Sequence, residues 1–252
     1  MESLKTYADE FIQQISDEGK TIGTAQGHMV GHSAGGLIGR MLLKKLSEKD
    51  HTVQVSTMDG SPVYENMDLK SLLTHASPHK GTLVADYFPY LFPSTNFSSD
   101  ICDLKVSTWK VSNQRVTNLN GAKLASIGAD ADMDQSGDLN ASEIAGNQIE
   151  WSYLANTLHK LLYDYDELKI TYDIEPGQGG GIVTHKVHYF GTGPNPNDSM
   201  VTLESSHGAP GITSSVSMTG VNGKNHGTVI DTHSQNEGIS QGTTVLGWGD
   251  LK

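Results

Sequence analysis

The chain of 252 residues has little cysteine, little positive charge and no long apolar run. Its one cysteine, Cys102, can form neither an internal disulfide nor a thiolate metal cluster. Lys and Arg number 17 against 29 Asp and Glu, and the net charge of −12 disfavours a nucleic-acid-binding protein, which needs a basic face. No apolar stretch approaches the length of a membrane span. The first residues lack the apolar core of a signal peptide, so this sequence predicts no export signal.

Apolar residues recur along the chain at both helical and strand spacing, which indicates an α/β fold. The predicted strands cover residues 27–30, 72–76 and 183–190, and the predicted helices cover 4–15, 37–49 and 141–162. Strands separated by helices favour a mostly parallel central sheet with helices on its faces. The length suits a single domain over residues 1–252.

A glycine-rich turn joins the first predicted strand to the helix that follows it. Its residues Gly31-His32-Ser33-Ala34-Gly35 match the pattern G-x-S-x-G of a nucleophile elbow. The sharp turn lifts the serine hydroxyl out of the sheet, and the helix N-terminus stabilises developing negative charge. We therefore predict Ser33 as a catalytic nucleophile, with the backbone N–H of Ala34 as one oxyanion donor. The ring of His32 is expected to point away from the hydroxyl and to pack.

A second motif lies in an acidic loop at residues 132–143. Oxygen-bearing side chains occupy positions 1, 3, 5, 9 and 12 of this loop, with Gly137 at position 6 and apolar Leu139 at position 8. This is the pattern of an EF-hand loop, whose hard oxygen ligands favour Ca²⁺ over zinc. The predicted calcium ligands are Asp132, Asp134, Ser136, the Asp138 carbonyl, Asn140 and Glu143. Because one such loop is found rather than a pair, we expect a structural role rather than a switch.

Four sequence blocks resemble segments of bacterial triacylglycerol lipases and esterases of the α/β-hydrolase superfamily. The first block is Met29–Arg40 around the elbow, and the second is Ala76–Asp86, which is similar to the family's APHKGS…AD segment. The third is Asn197–Val201 followed by Ser205–His207, which is similar to the family's NDGLV…SSH segment, and the fourth is Asn225-His226. The blocks follow the family's order between residues 27 and 226. The resemblance implies an α/β-hydrolase fold with an inserted lid or cap at 82–162. It also implies a carboxylic ester or lipid substrate, met at a lipid–water interface, and an extracellular location.

A catalytic serine needs a base to accept its proton and an acid to orient that base. In α/β-hydrolases the acid and then the base follow the serine along the chain. Asp198, which follows the predicted strand at 183–190, is the candidate acid, and His207, His226 and His233 are the histidines downstream of it. His226 lies in a Gly/Asn-rich loop and matches the histidine of the family's NH block. It is therefore the preferred base, with His233 and His207 as alternatives.

Two features of the family have no counterpart in this sequence. The loop that supplies the second oxyanion donor follows an earlier strand in the family, so the chain is expected to be N-terminally short or to build the oxyanion hole differently. The calcium-binding aspartate just after the family's histidine is Thr228 here, and Asp231 is a weak substitute. The alternative functions are a weak or inactive calcium-binding protein on this scaffold, or another acyl hydrolase such as a thioesterase or phospholipase.

Overall fold

The computed structural model of the chain describes residues 2–16, 21–91, 99–112, 121–141, 143, 152–175, 182–191, 193–218, 226–230, 236, 239–246 and 248. The helices are α1 (Glu2–Ser16), α2 (Ala34–Glu48), α3 (Leu83–Leu91), α4 (Ser99–Cys102), α5 (Val106–Ser112), α6 (Ser152–Asp164) and α7 (Leu203–Ser206). The strands are β1 (Gln26–His32), β2 (Thr52–Met58), β3 (Ser61–Asn66), β4 (Asp68–His75), β5 (Lys123–Ala129), β6 (Glu167–Glu175), β7 (Ile182–Phe190) and β8 (Ile212–Met218). A 3₁₀ helix at Thr228–Ile230 and a π-helical turn at Gly242–Leu246 follow them.

A four-stranded sheet in the order β1-β4-β5-β8 forms the centre of the described structure. All three of its strand pairs are parallel. Parallel neighbours need crossover connections, and α2 supplies the one between β1 and β4, together with the small antiparallel hairpin β2–β3. The predicted α/β class with a parallel central sheet is therefore confirmed. In open parallel sheets, ligands bind just outside the carboxyl ends of the strands. The carboxyl edge of this sheet is therefore the expected place for a functional site.

The hydrophobic core lies on both faces of β4 and β5, the two inner strands of the central sheet. Successive strand residues point to opposite faces, so the neighbours Leu72 and Leu73 enter two separate clusters. Leu72 packs with residues of α1 and α2, including Leu4 and Leu37. Leu73 packs with Ala125 and Ile127 of β5, Val229 and Leu246 on the other face. Burial on both faces explains why these strands appear in the sequence as runs without polar alternation.

The strand predicted at 183–190 is present as β7, but it is not part of the central sheet. It pairs antiparallel with β6 in a separate two-stranded sheet. Periodicity in the sequence identifies a strand without fixing its partner, which explains this difference. Strand β8, which does belong to the central sheet, was not predicted because its sequence ITSSVSM is rich in serine and gives a weak apolar signal.

The segment 82–162, predicted as an inserted lid or cap, contains strand β5 of the central sheet. The sequence of β5, KLASIGA, is composed largely of small residues, so its strand pattern is weak. Before β5, the same segment includes the helices α3, α4 and α5. The predicted helix 141–162 corresponds at its end to α6, while residues 144–151 lie outside the described residues.

None of the helices in the described part of the chain is long and apolar enough to cross a membrane.

Candidate active site

Ser33 lies in a strained turn between β1 and α2. Its backbone has φ 53° and ψ −128°, a left-handed conformation that costs a non-glycine residue about 1–3 kcal/mol. The Ser33 N–H donates to the carbonyl of His75 at 2.9 Å, which ties the turn to the end of β4. Ala34 is the first residue of α2, where helix N–H groups lack partners within the helix. These features are those of a nucleophile elbow.

Gly31, the first glycine of the motif, allows the backbone of the strand to approach the backbone of the following helix closely. A Cβ on Gly31 would lie 2.6 Å from backbone atoms of both Gly35 and Gly36, whereas a Cβ on Gly35 would meet nothing within 4 Å. We expect Gly31→Ala to lower the free energy of unfolding by about 1–3 kcal/mol, because the backbone must shift. Gly35→Ala is expected to stay within about 1 kcal/mol of the wild type, since Ala suits a helix. Urea unfolding of both variants checks this, and equal losses would contradict it.

The structure places Ser33, His226 and Asp198 in one hydrogen-bonded relay. Ser33 Oγ lies 2.8 Å from His226 Nε2, and His226 Nδ1 lies 2.8 Å from Asp198 Oδ2. With the ring neutral and protonated on Nδ1, Nδ1–H donates to the carboxylate and Nε2 accepts from the serine hydroxyl. His207, an alternative base, lies by Gly128 of β5 and is not part of the relay. His233 and Asp231 lie outside the described residues.

The Asp198 carboxylate is fully buried and held by the backbone of its own turn. Its Oδ1 accepts from the N–H groups of Met200 at 2.9 Å and Val201 at 2.7 Å, which leaves Oδ2 for His226. The backbones are also joined, because the His226 N–H donates to the Asp198 carbonyl at 3.0 Å. The acid and the base are therefore fixed by main chain as well as by side chains.

The N-terminal part of the chain, residues 3–103, matches the family model described as "Putative serine esterase (DUF676)". The chain thus resembles the serine esterases. The match covers less than half of the chain, but it includes the elbow, and it supports the predicted hydrolase of the lipase and esterase class. No curated protein sequence matches the chain.

Among solved structures, the chain is similar to several bacterial proteins at low identity. The mature lipase BlEst2 of Bacillus licheniformis is 13% identical, with 96% of this chain and 71% of that chain covered and a TM-score of 0.46. The lipase of Staphylococcus hyicus is 14% identical, with 89% and 71% covered and a TM-score of 0.46. EstA of Clostridium botulinum is 17% identical, with 87% and 62% covered and a TM-score of 0.45. At these identities the relationships are distant.

His32 touches the relay, which sequence reasoning missed. Its Nε2–H donates to the backbone carbonyl of His226 at 2.8 Å, and the two ring centroids are 4.9 Å apart. Burial and the neighbouring His226 lower the pKa of His32, so its ring is a neutral donor. The sequence predicted only packing, because a contact between positions 32 and 226 has no local signal. The ring thus holds the backbone that carries the base.

The pKa of His226 is raised above its ordinary value of 6.5. Burial lowers it, but the charge of Asp198 and the hydrogen bond to Asp198 outweigh burial because both favour the imidazolium. A general base works only when unprotonated, so we expect activity to be lost as pH falls through this pKa. We expect kcat/KM for an ester to rise with pH to a plateau, with an apparent pKa above 6.5. A profile whose acidic limb has an apparent pKa below 6.5 would contradict this expectation.

One predicted oxyanion donor lies directly beside the serine. Ala34 at the start of α2 provides the predicted N–H beside Ser33. Within the described residues, β4 is the single neighbour of β1 in the sheet, so no described strand on the other side brings a second loop to Ser33.

The predicted calcium loop forms a compact turn at the end of β5. Asp132 and Glu143 are buried, Asp134 is exposed, and one carboxylate oxygen from each lies within 4.8 Å of the others. Gly137 has φ 83°, and its N–H donates to Asp132 Oδ2 at 2.7 Å. The remaining predicted ligands make contacts within the loop: Ser136 Oγ donates to the Asp138 carbonyl at 2.9 Å, and Asn140 Oδ1 accepts from the Glu143 N–H at 3.2 Å.

Helix α6 holds this loop in place. The Leu139 N–H donates to Asn156 Oδ1 at 2.9 Å, and the Tyr163 hydroxyl donates to the Gln135 carbonyl at 3.0 Å. Leu139, the apolar residue at position 8, is buried, as the EF-hand pattern predicts. The loop is therefore a packed part of the domain rather than a free acidic surface.

Proposed function

We propose that this chain hydrolyses carboxylic esters through an acyl-enzyme, with Ser33 as nucleophile, His226 as base and Asp198 as the residue that orients His226. The observation that carries the proposal is the relay from Ser33 Oγ to Asp198 Oδ2 through the two ring nitrogens of His226, at 2.8 Å on each side. Two residues distant in sequence from Ser33 converge on this serine in its strained elbow, and this arrangement activates serine for acyl transfer.

The reaction follows from the positions of these groups. As Ser33 Oγ forms a bond to the ester carbonyl carbon, its proton passes to His226 Nε2, and the Ala34 N–H stabilises the resulting oxyanion. The oxyanion collapses, the bond to the alcohol oxygen breaks, and His226 returns the proton to the leaving alcohol. Water then attacks the acyl-serine with the same assistance from His226, which releases the carboxylic acid and restores Ser33. The Asp198 side chain stabilises the imidazolium in both steps.

The substrate class follows from the esterase family match and from the predicted resemblance to bacterial lipases. The resemblance adds lipid esters, a lipid–water interface and an extracellular location to the proposal. A cavity of about 320 Å³ is lined by apolar residues such as Leu83 and Trp109 and by charged residues such as Lys110, but its lining includes neither Ser33 nor His226. Acyl-chain preference is therefore left to experiment.

A substrate panel tests the proposal. The wild type and Ser33→Ala are assayed with p-nitrophenyl esters from acetate to palmitate, a triacylglycerol emulsion, a phospholipid and an acyl thioester. We expect the wild type to hydrolyse the simple esters or the triacylglycerol and Ser33→Ala to hydrolyse none of them. Equal rates for the two proteins on every substrate would overturn the proposal. Hydrolysis of the phospholipid alone would restrict the substrate to the acyl esters of phospholipids, and hydrolysis of the thioester alone would replace ester with thioester.

A further inference from the structure

Two carboxylates of the predicted calcium loop are buried side by side. Asp132 and Glu143 are 2% and 4% exposed, and they lie with Asp134 around a common point. Two buried carboxylates side by side repel each other, and a cation between them removes that repulsion. Each carboxylate accepts backbone N–H groups at both of its oxygens: Asp132 from Ser136 and Gly137, and Glu143 from Met133 and Asn140.

The ring of His159 gives an independent indication that this cluster is a ligand site. The ring is fully buried, and neither of its nitrogens has a hydrogen-bond partner in the part of the chain that the structure describes. Nε2 points at Asp132 Oδ2 from 3.6 Å, which is too long for a hydrogen bond. A buried imidazole aimed at a carboxylate is a typical outer partner of a metal ligand, because it orients the carboxylate that binds the ion.

The loop is bonded directly to the turn that carries Asp198. The Asp130 carboxylate accepts from the N–H of Asp132, the first loop position, and from the N–H of Asn197, both at 3.3 Å. The Ala131 N–H donates to the Asn197 carbonyl at 2.8 Å. The His159 carbonyl accepts from Asn197 Nδ2 at 3.3 Å, so His159 faces both the loop and this turn. Asn197 directly precedes Asp198, and the Asp130 carboxylate joins Asn197 to Asp132. These bonds therefore connect the first position of the loop to the turn that carries Asp198.

We propose that the loop 132–143 binds one Ca²⁺ and that this ion activates the enzyme by holding the turn of Asp198 in place. Asp132, Asp134 and Glu143 supply carboxylate oxygens, Ser136 and Asn140 side-chain oxygens, and Asp138 its carbonyl. An all-oxygen set with a flexible glycine turn suits Ca²⁺, whereas Mg²⁺ demands a stricter octahedron and zinc favours nitrogen and sulfur. Activation presupposes the ester hydrolysis proposed above, but binding does not.

Binding is tested first, without any substrate. Metal-stripped wild type is titrated with Ca²⁺, Mg²⁺ and Zn²⁺ by calorimetry, together with Asp134→Asn, Glu143→Gln and the control Asp50→Asn, which removes an exposed carboxylate elsewhere. We expect one Ca²⁺ per chain with a Kd below about 1 mM, and weakening by about tenfold or more in the two loop variants only. No binding of Ca²⁺, tighter binding of Zn²⁺, or equal binding by all variants would overturn the site.

Coupling is tested next, by amide hydrogen exchange and by kinetics. Ca²⁺ is expected to slow exchange in peptides that contain Met200 and Val201, whose N–H groups hold Asp198, and to raise kcat by about 5- to 150-fold. Asp130→Ala removes the carboxylate that joins Asp132 to Asn197 and is expected to bind Ca²⁺ with both effects reduced, while Asp130→Asn keeps an acceptor oxygen and keeps both effects. Urea unfolding verifies that both variants fold, and the exchange experiment on the wild type needs neither of them.

The outcomes separate this inference from the proposed function. Binding of Ca²⁺ with unchanged exchange at 200–201 and unchanged kcat would overturn the activation and leave the hydrolase. Slower exchange at 200–201 in a protein that hydrolyses no ester at any Ca²⁺ concentration would support the coupling and overturn the proposed function instead.

Discussion

Ser33→Ala and His226→Ala are each expected to lower kcat for a p-nitrophenyl ester by a factor on the order of 10⁶. Each removes one member of a unit in which the serine is activated only by the ring beside it, 2.8 Å away. For the same reason, the double variant is expected to be no slower than either single variant. Steady-state kinetics of the four proteins, with active-site titration of the wild type, measures these factors.

The control for this series is Ser61→Ala, which removes an exposed serine hydroxyl on β3 far along the chain from the elbow. It is expected to retain the wild-type kcat. If the losses in the two single variants multiplied in the double variant, Ser33 and His226 would be acting independently, and the relay would not describe the chemistry.

Asp198→Asn is expected to lower kcat by about 10⁴-fold while the protein stays folded. The amide oxygen can still accept from Met200 and Val201, so the turn is retained. The amide nitrogen then faces His226 Nδ1 and donates to it, which stabilises the ring tautomer that has its proton on Nε2. That tautomer cannot accept the proton of Ser33.

The pH profile of Asp198→Asn provides the second measurement. The carboxylate is what raises the pKa of His226 against the effect of burial. The acidic limb of kcat/KM is therefore expected to move to lower pH in the variant, even though the plateau is much lower. A limb at the wild-type position, or a kcat within tenfold of the wild type, would show that Asp198 is not the partner of the base.

The elbow was predictable because its determinants are local. Gly31 and Ser33 are two residues apart, and the strand before them and the helix after them each have a clear apolar pattern. The acid and base positions came from chain order and from the resemblance to lipases rather than from any pattern of their own. Their meeting with Ser33 depends on turns that short-range periodicity does not describe.

The features that sequence reasoning missed depend on tertiary contacts or on weak patterns. Strands β5 and β8 consist largely of small residues and serine, so their place in the sheet appears only in the structure. The contact of His32 with the backbone of His226 spans 194 positions in sequence. The loop 132–143 lies close to Asp198 because it follows β5, whose last residue directly precedes Asp130. That strand lies in the segment predicted as an insertion.

Covalent labelling with a fluorophosphonate tests the central claim most directly. The reagent forms a bond from serine oxygen to phosphorus with loss of fluoride, and it reacts readily only with a serine activated by a base. Peptide mass mapping of the wild type is predicted to find one phosphonyl group per chain, on Ser33, and the His226→Ala variant is predicted to label far more slowly. No label, label on a different serine, or equal labelling in the two proteins would contradict the activation of Ser33 by His226.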